Sequence, residues 1–265
     1  MSDAEDLVTY ERRGRIGYIT LNRPDKLNAF SDEQVLALKD RLWEFDRDEE
    51  AWVAILSGNG RAFSSGADVR QRQLRKREEF LKLGGPSGRG ATHHPIMFEG
   101  FLHWKPVIAA VHGYVFGMAV GITLRCDYVI ADSDTEFEVT ETRRGLYAGQ
   151  YWSIMQFRGA GTFADEVFLS GRRFTGAEAA EEKVINLSVT PGTRIEAAES
   201  FAADILKNPP LSVRAMVRAR RWHLQQHERQ HTLFYEAAKL HLTEDFQESA
   251  RAFAEKRPPK DFVGR

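Results

Sequence analysis

Val107-Ile108-Ala109-Ala110-Val111, running into a turn that carries Gly113, Gly117 and Gly121, is the stretch on which the fold turns. A short apolar run bounded by glycine reads as a fully buried strand, and the residues after Gly117 read as a helix start. The same plan occurs upstream, where Val53-Ala54-Ile55-Leu56 leads into Gly58, Gly60 and Gly66. Two copies of strand, glycine-bearing turn and helix imply a repeated superhelix, because one copy cannot bury its own apolar face. Residues 127–131 and 137–139 continue the series as a third strand pair.

Upstream of these units, residues 7–11 and 16–21 are short β-rich runs joined across Arg12, Arg13 and Gly14, which predicts an opening hairpin. Ser31-Asp32-Glu33-Gln34 has the form of a capping box, and Val35, Leu38, Leu42 and Phe45 then recur at helical spacing to about Asp46. Residues 52–56 follow as a buried strand. Downstream of Gly159 the pattern is mostly helical, with a second capping box at Thr175 and Glu178. Helices are expected over residues 194–206, 211–226 and 233–253, with Pro209-Pro210 separating the first two. No linker of domain-separating length occurs. The chain therefore reads as one α/β unit, with a core over 1–200 and a helical C-terminal region over 201–265.

Composition narrows the function classes. With 265 residues, 42% apolar and 28% charged, the chain has the make-up of an ordinary globular protein. A net charge of -1 argues against a broad nucleic-acid surface. The first six residues are acidic and polar, unlike a secretory signal, and no apolar run is long enough to span a bilayer, so a cytoplasmic protein without membrane partners is expected. The one cysteine, Cys126, forms no internal disulfide and fits a reduced compartment.

Several motifs carry possible chemistry. His227-Glu228-Arg229-Gln230-His231, with His223 a helical turn earlier, matches the spacing of zinc peptidases. Its neighbours Gln225, Gln226, Arg229 and Gln230 make a solvated face rather than a recessed metal site, so no metal is expected. Dinucleotide and phosphate-loop fingerprints and the nucleophile elbow are absent. Residues 70–95 combine the basic run Arg70 to Arg77 with a glycine-rich stretch; this reads either as a cationic lid that meets an anionic ligand or as a solvated helix and loop. His93 and His94 lie in it, and Met97, Phe98, Phe101 and Leu102 follow at spacing suited to an acyl channel or to plain core.

The two glycine turns are more informative. In Ala62-Phe63-Ser64-Ser65-Gly66-Ala67-Asp68, Gly66 permits an unusual backbone angle that can turn the Ala67 amide toward a cavity. Gly117 can do the same for Met118. Two such amides aimed at one point form an oxyanion hole.

Those turns, with Lys105-Pro106-Val107-Ile108-Ala109-Ala110-Val111-His112-Gly113, Cys126-Asp127-Tyr128-Val129-Ile130-Ala131 and the terminal Phe253-Ala254-Glu255-Lys256-Arg257, resemble the enoyl-CoA hydratase/isomerase, or crotonase, superfamily over nearly the whole chain. The resemblance implies a crotonase-like spiral of repeated β-β-α units, with a C-terminal helical trimerisation region and assembly as a homotrimer or homohexamer. It implies an acyl-CoA thioester partner, with coenzyme A as part of the substrate and no separate cofactor. The Ala67 and Met118 amides would bind the thioester oxygen and its enolate. Lys26, Ala29, Ser65, Gly66, Asp68 and Gly117 would surround the substrate, and Lys256 would reach a phosphate of this subunit's ligand or of a neighbour's. Tyr147 and Tyr151 stand where members carry substrate-specific groups.

The resemblance also marks departures. Family hydratases carry two glutamates; the first position falls on Gly121 and the second on Glu141. A single base suffices to move a double bond, whereas hydration needs water to be positioned as well. Glu141 with Gly121 therefore favours an enoyl-CoA isomerase. The alternatives are a hydratase that uses Glu141 with water and a non-catalytic acyl-CoA-binding protein. Without the resemblance, Glu141 reads as a salt-bridge partner of Arg143 or Arg144, with Glu136 and Glu138 as rival carboxylates. Gly149 replaces an aspartate used in other reactions of the superfamily, and Lys183 replaces a glycine common after the Thr175 helix.

Overall fold

The computed structural model describes residues 7–83, 85, 98 and 101–265, with the side chains of 228, 230 and 232–238 excepted. The expectations placed on His93, His94 and Met97, and on most of the glycine-rich stretch, fall outside the described residues.

Strands β1 (Val8–Arg13) and β2 (Ile16–Leu21) form the expected hairpin, closing with Arg13 opposite Ile16 around Gly14 at φ +59°. From β2 the sheet continues in parallel through β3 (Val53–Gly58), β4 (Val107–Val111), β6 (Tyr128–Asp132) and β9 (Leu187–Val189). A smaller sheet joins β5 (Tyr114–Phe116), β7 (Glu136–Glu138) and β8 (Arg173–Thr175). Successive units of the superhelix thus give one strand to each sheet, β4 with β5 and β6 with β7.

Period-two alternation divides the apolar residues of the large sheet between two cores. Leu21, Leu56, Ala109 and Val111 face one of them, together with helix α1 (Asp32–Arg47). Val53, Ile55, Ile108 and Ala110 face the other, closed by Ala198 and Ala202 of α8 (Arg194–Leu206). Val35, Leu38, Leu42 and Phe45 of α1 are fully buried, as their spacing predicts. Only half of each expected capping box forms. Ser31 Oγ accepts the Gln34 N–H at 3.2 Å, while the Gln34 amide group is buried elsewhere without a partner among the described residues. Thr175 Oγ1 likewise caps Glu178, whose carboxylate turns away to Arg172.

Helices α2 (Val69–Arg72) and α3 (Arg77–Leu83) begin the basic segment, whose Lys76 and Arg77 are exposed as a solvated face would have them while other cations turn inward. Arg72 is fully buried against Asp32 at 2.6 Å, and Arg75 pairs with the same carboxylate and with Glu79. Arg70 is the exposed cation of the three. After α4 (Met118–Arg125) come α5 (Gly149–Arg158), α6 (Gly161–Ser170) and α7 (Gly176–Glu181). Arg158 ties α5 to its surroundings through the carbonyls of Leu124 and Val184. Lys183, where a glycine was expected, adopts φ +61°, the conformation glycine takes without strain.

The C-terminal helices break at a different point from the one expected. Helix α9 runs unbroken over Pro210–Ala238, and Lys239 then turns to φ +44°. Helix α10 covers Glu244–Ala254, capped by Thr243 Oγ1 on the Phe246 N–H. The boundary expected between residues 200 and 201 falls inside α8. Among the described residues no helix is long and apolar enough to cross a membrane.

Candidate active site

The first glycine turn is held by a side chain that the sequence did not single out. Buried Ser64 donates its hydroxyl to the Asn28 carbonyl at 2.8 Å and accepts the Gly66 N–H at 3.1 Å. Residues 27–30 run beside it in parallel. The Leu27 carbonyl accepts from Ser65, Gly66 accepts from Phe30, and Phe30 accepts from Asp68. Asn28 fixes that neighbour by donating to the carbonyls of Asn59 and Ala62. These bonds use the amides on both sides of Ala67. Among the described residues the Ala67 N–H itself has no acceptor.

The second turn is laced to the first. Ser64 donates its backbone N–H to Tyr114, and Phe116 donates to Ser64. A Cβ on Gly66 would stand 2.5 Å from the Phe116 carbonyl, so no side chain fits between the turns. Gly117, at φ +50°, donates to the Glu138 carbonyl. Met118 opens α4, where an N–H has no partner within the helix, and none is supplied from outside among the described residues. Two unoccupied amides thus follow two glycines that touch.

Glu141 is placed against the same point. A Cβ on Gly117 would lie 3.2 Å from Glu141 Oε1 and 2.5 Å from Thr140 Oγ1. Burial pushes the Glu141 carboxyl up to about 7, opposed by backbone hydrogen bonding and the charge of Arg144 and reinforced by Glu138. Its Oε2 is buried and unpartnered among the described residues. The salt-bridge reading of Glu141 is not what the structure contains: Arg143 and Arg173 pair with Glu138, Arg173 also takes Glu136, and Arg144 stacks on Phe253 at 3.7 Å. The rival carboxylates are thereby neutralised and Glu141 is not.

Around these groups opens a cavity of about 1550 Å³. Lys26, Ala29, Ser65, Ala67, Asp68, Met118, Glu141 and Lys256 all line it. Lys256 comes from the same chain, because α10 packs on the Glu141 turn through Phe246 against Gly145 and through Ser249, which donates to the Arg143 carbonyl. The lining carries Arg23, Lys26, Arg70, Arg143, Arg144, Arg173, Lys256 and Arg257 against Glu33, Asp68, Glu138 and Glu141 among the described residues. Lys26, Arg70 and Lys256 are exposed and form no ion pair among the described residues.

Other expected site residues lie elsewhere. Gly66 and Gly117 act beneath the lining by letting the turns meet. Tyr151 is 2% exposed and packs over Gly121, where a Cβ would lie 2.7 Å from its Cζ and closer still to Cε1. Arg125 closes the other side by donating to the Gly121 carbonyl. The space for a second acid is therefore filled by an aromatic ring. Tyr147 shares a 2.8 Å hydrogen bond with His231 Nδ1, and Gly149 is held bare by that pair. His227 packs on Phe157 and His223 on Trp222, so the histidines of α9 serve ring contacts. Phe98 and Phe101 pack with Phe45 and Arg221 as core, while Leu102 is exposed. Cys126 is buried, and burial pushes its thiol up to about 12.

Comparison with known proteins points to one family. A family model described as enoyl-CoA hydratase/isomerase matches residues 11–264. A putative enoyl-CoA hydratase of Thermus thermophilus is 29% identical, over 94% of this chain and 98% of its own. A mevalonyl-coenzyme A hydratase of Aspergillus fumigatus is 31% identical, over 91% of this chain and 89% of its own. The crystal structure of carnitinyl-CoA hydratase from Mycobacterium avium superimposes with a TM-score of 0.75 at 32% identity, covering 96% of this chain and 98% of that one.

Proposed function

The chain belongs to the enoyl-CoA hydratase/isomerase family of acyl-CoA-processing enzymes, and from that premise we propose that it shifts a double bond along an acyl-CoA thioester. The observation that carries this reading is the pairing of Glu141, whose Oε2 is buried and unpartnered among the described residues, with a Gly121 position already filled by Tyr151. In the proposed reaction the thioester oxygen accepts from the Ala67 and Met118 amides. Glu141 removes a proton from C2 of a 3-enoyl thioester. The electron pair moves onto the oxygen, where both amides hold the enolate charge more strongly than the neutral carbonyl. The electrons then return through the carbon chain as Glu141 delivers the proton to C4. Proton and electrons balance within one substrate, so coenzyme A enters only as part of the thioester. A carboxyl with an affinity near 7 suits both halves of the transfer.

Lys26, Arg70 and Lys256 supply positive charge at the cavity for the phosphates of coenzyme A. Hydration of a 2-enoyl thioester is the second reading, favoured by the hydratase names of the three relatives above. We take the assembly to be a homotrimer or a pair of trimers. The decisive experiment supplies 3-enoyl-CoA and 2-enoyl-CoA separately to the purified protein and to Glu141→Gln. Conversion of the first alone, lost in the variant, supports the isomerase; hydration of the second replaces it by the hydratase. Binding of both without turnover of either leaves a non-catalytic acyl-CoA-binding protein.

A further inference from the structure

Glu138 is tied to both halves of the site. Its backbone carbonyl accepts the Gly117 N–H at 2.8 Å, the bond that fixes the turn just before the Met118 amide and extends the β5–β7 register in which Phe116 stands opposite Glu138. Its buried side chain accepts from Arg143 at 3.3 Å and from Arg173 at 2.8 Å. Arg143 lies two residues beyond Glu141 in the same turn, and the Arg173 guanidinium also covers the Phe116 ring at 4.8 Å. One residue thus fastens the oxyanion turn through its main chain and the Glu141 turn through its carboxylate. The charges of this cluster balance, with Arg143 and Arg173 set against Glu136 and Glu138. Of the charged groups that act on Glu141, Glu138 disfavours the ionised form and Arg144 favours it. On the helices packed against the turn, Asp165 and Glu166 of α6 are held by Trp152 and Arg172, and Asp245 and Glu248 of α10 by the Val263 amide and Arg257. Lys256 lines the cavity from a solvent-exposed position.

We infer that Glu138 is a positioning residue for the proton transfer, which holds the base turn to the oxyanion turn and sets the charge against which Glu141 works. This rests on the reading of Glu141 as the base. Taking the charge from Glu138 leaves a surplus cation in the cluster, which stabilises the Glu141 carboxylate and weakens it as a base. Taking the charge from Arg173 leaves a surplus anion and does the opposite, by less, because Arg173 is 53% exposed and screened by water.

The test is the pH dependence of kcat/KM for the purified protein, on whichever of 3-enoyl-CoA and 2-enoyl-CoA it converts. The parent's rate should rise through about 7 as Glu141 ionises. Glu138→Gln keeps the carbonyl and the side-chain length, and its rising limb is expected about 0.5 to 1 unit lower. Arg173→Met, which keeps an apolar contact for the Phe116 ring, should move the limb to higher pH. Glu138→Asp restores the charge and should return the limb toward the parent's. A merely structural role would lower the rate at every pH and leave the limb in place. Should the glutamine variant fail to fold, the direction of the Arg173→Met shift carries the test. Limbs that stay put, or that move the same way in both variants, overturn the inference and leave Glu141 as the base. A parent that converts neither thioester overturns that reading and the inference with it.

Discussion

Glu141 has a folded-state proton affinity near 7 against an ordinary 4.5, and the cause is burial. Below pH 4.5 both folded and unfolded chains hold the proton, and the residue does not bias folding. As pH rises toward 7 the unfolded chain releases it first, so the folded state loses up to about 3 kcal/mol of relative stability. Glu141→Gln removes this penalty, and its melting temperature should pull ahead of the parent's between pH 5 and pH 8. A pH-independent gap between the two would show that the carboxyl titrates normally. Activity runs the other way: the carboxylate form rises through pH 7, and the variant should lose about 10²- to 10⁴-fold in rate. Gly121 makes the converse argument. Alanine in a helix usually gains about 1 kcal/mol over glycine. Here its methyl would enter the Tyr151 ring, and overpacking of about 1–3 kcal/mol should win. Chemical denaturation of Gly121→Ala decides the sign, and a stabilised variant would mean that the ring moves freely. The family resemblance singled out both positions in the sequence, Glu141 as the acid expected to be retained and Gly121 as the one expected to be lost. Ser64 and Tyr151 were not seen in their structural roles, because a serine in a turn and a tyrosine on a helix have no spacing signature. Their roles arise from contacts with residues distant in the chain.

At the scale of elements, the sequence reads well where burial is periodic and poorly where a break depends on one residue. Helix α1 and the alternating strands follow from apolar spacing alone. The end of α9 does not, because Lys239 takes a left-handed conformation that its residue type rarely adopts, and Thr243 then caps α10. That break matters to the site. It brings α10 back onto the Glu141 turn, where Phe246 is fully buried beside Gly145 and against the ring of Phe80. Phe246→Ala should cost about 3 kcal/mol or more. The loss should fall first on the docking of α10, so the catalytic rate drops at temperatures where circular dichroism still reports a folded chain. If activity and ellipticity fail together, α10 is not a separate support for Glu141.

For the whole molecule, net charge and local charge tell different stories. The chain carries -1 overall, yet the cavity gathers eight cations against four acids among the described residues. The near-neutral total excluded a polyanion surface and left room for a site that takes one polyphosphorylated ligand. Apolar surface is distributed as unevenly. On α9, Leu211, Met216 and Trp222 are 75%, 69% and 55% exposed. Met216 also borders a hollow of about 370 Å³ lined by Ile108, Phe201, Ile205 and Val213, on the face of the sheet opposite α1. Large apolar side chains left open beside such a hollow fit a surface that another copy covers. If the proposed trimer uses it, Met216→Glu places a charge where the partner must desolvate it, at a cost of several kcal/mol per copy. Sedimentation should then show monomers at concentrations where the parent is assembled. Because Lys256 and Glu141 belong to the same chain, such a monomer should still bind coenzyme A. A variant that stays assembled would place the subunit contact on another face, and one that dissociates and loses binding as well would mean that the cavity needs a neighbour to hold its shape.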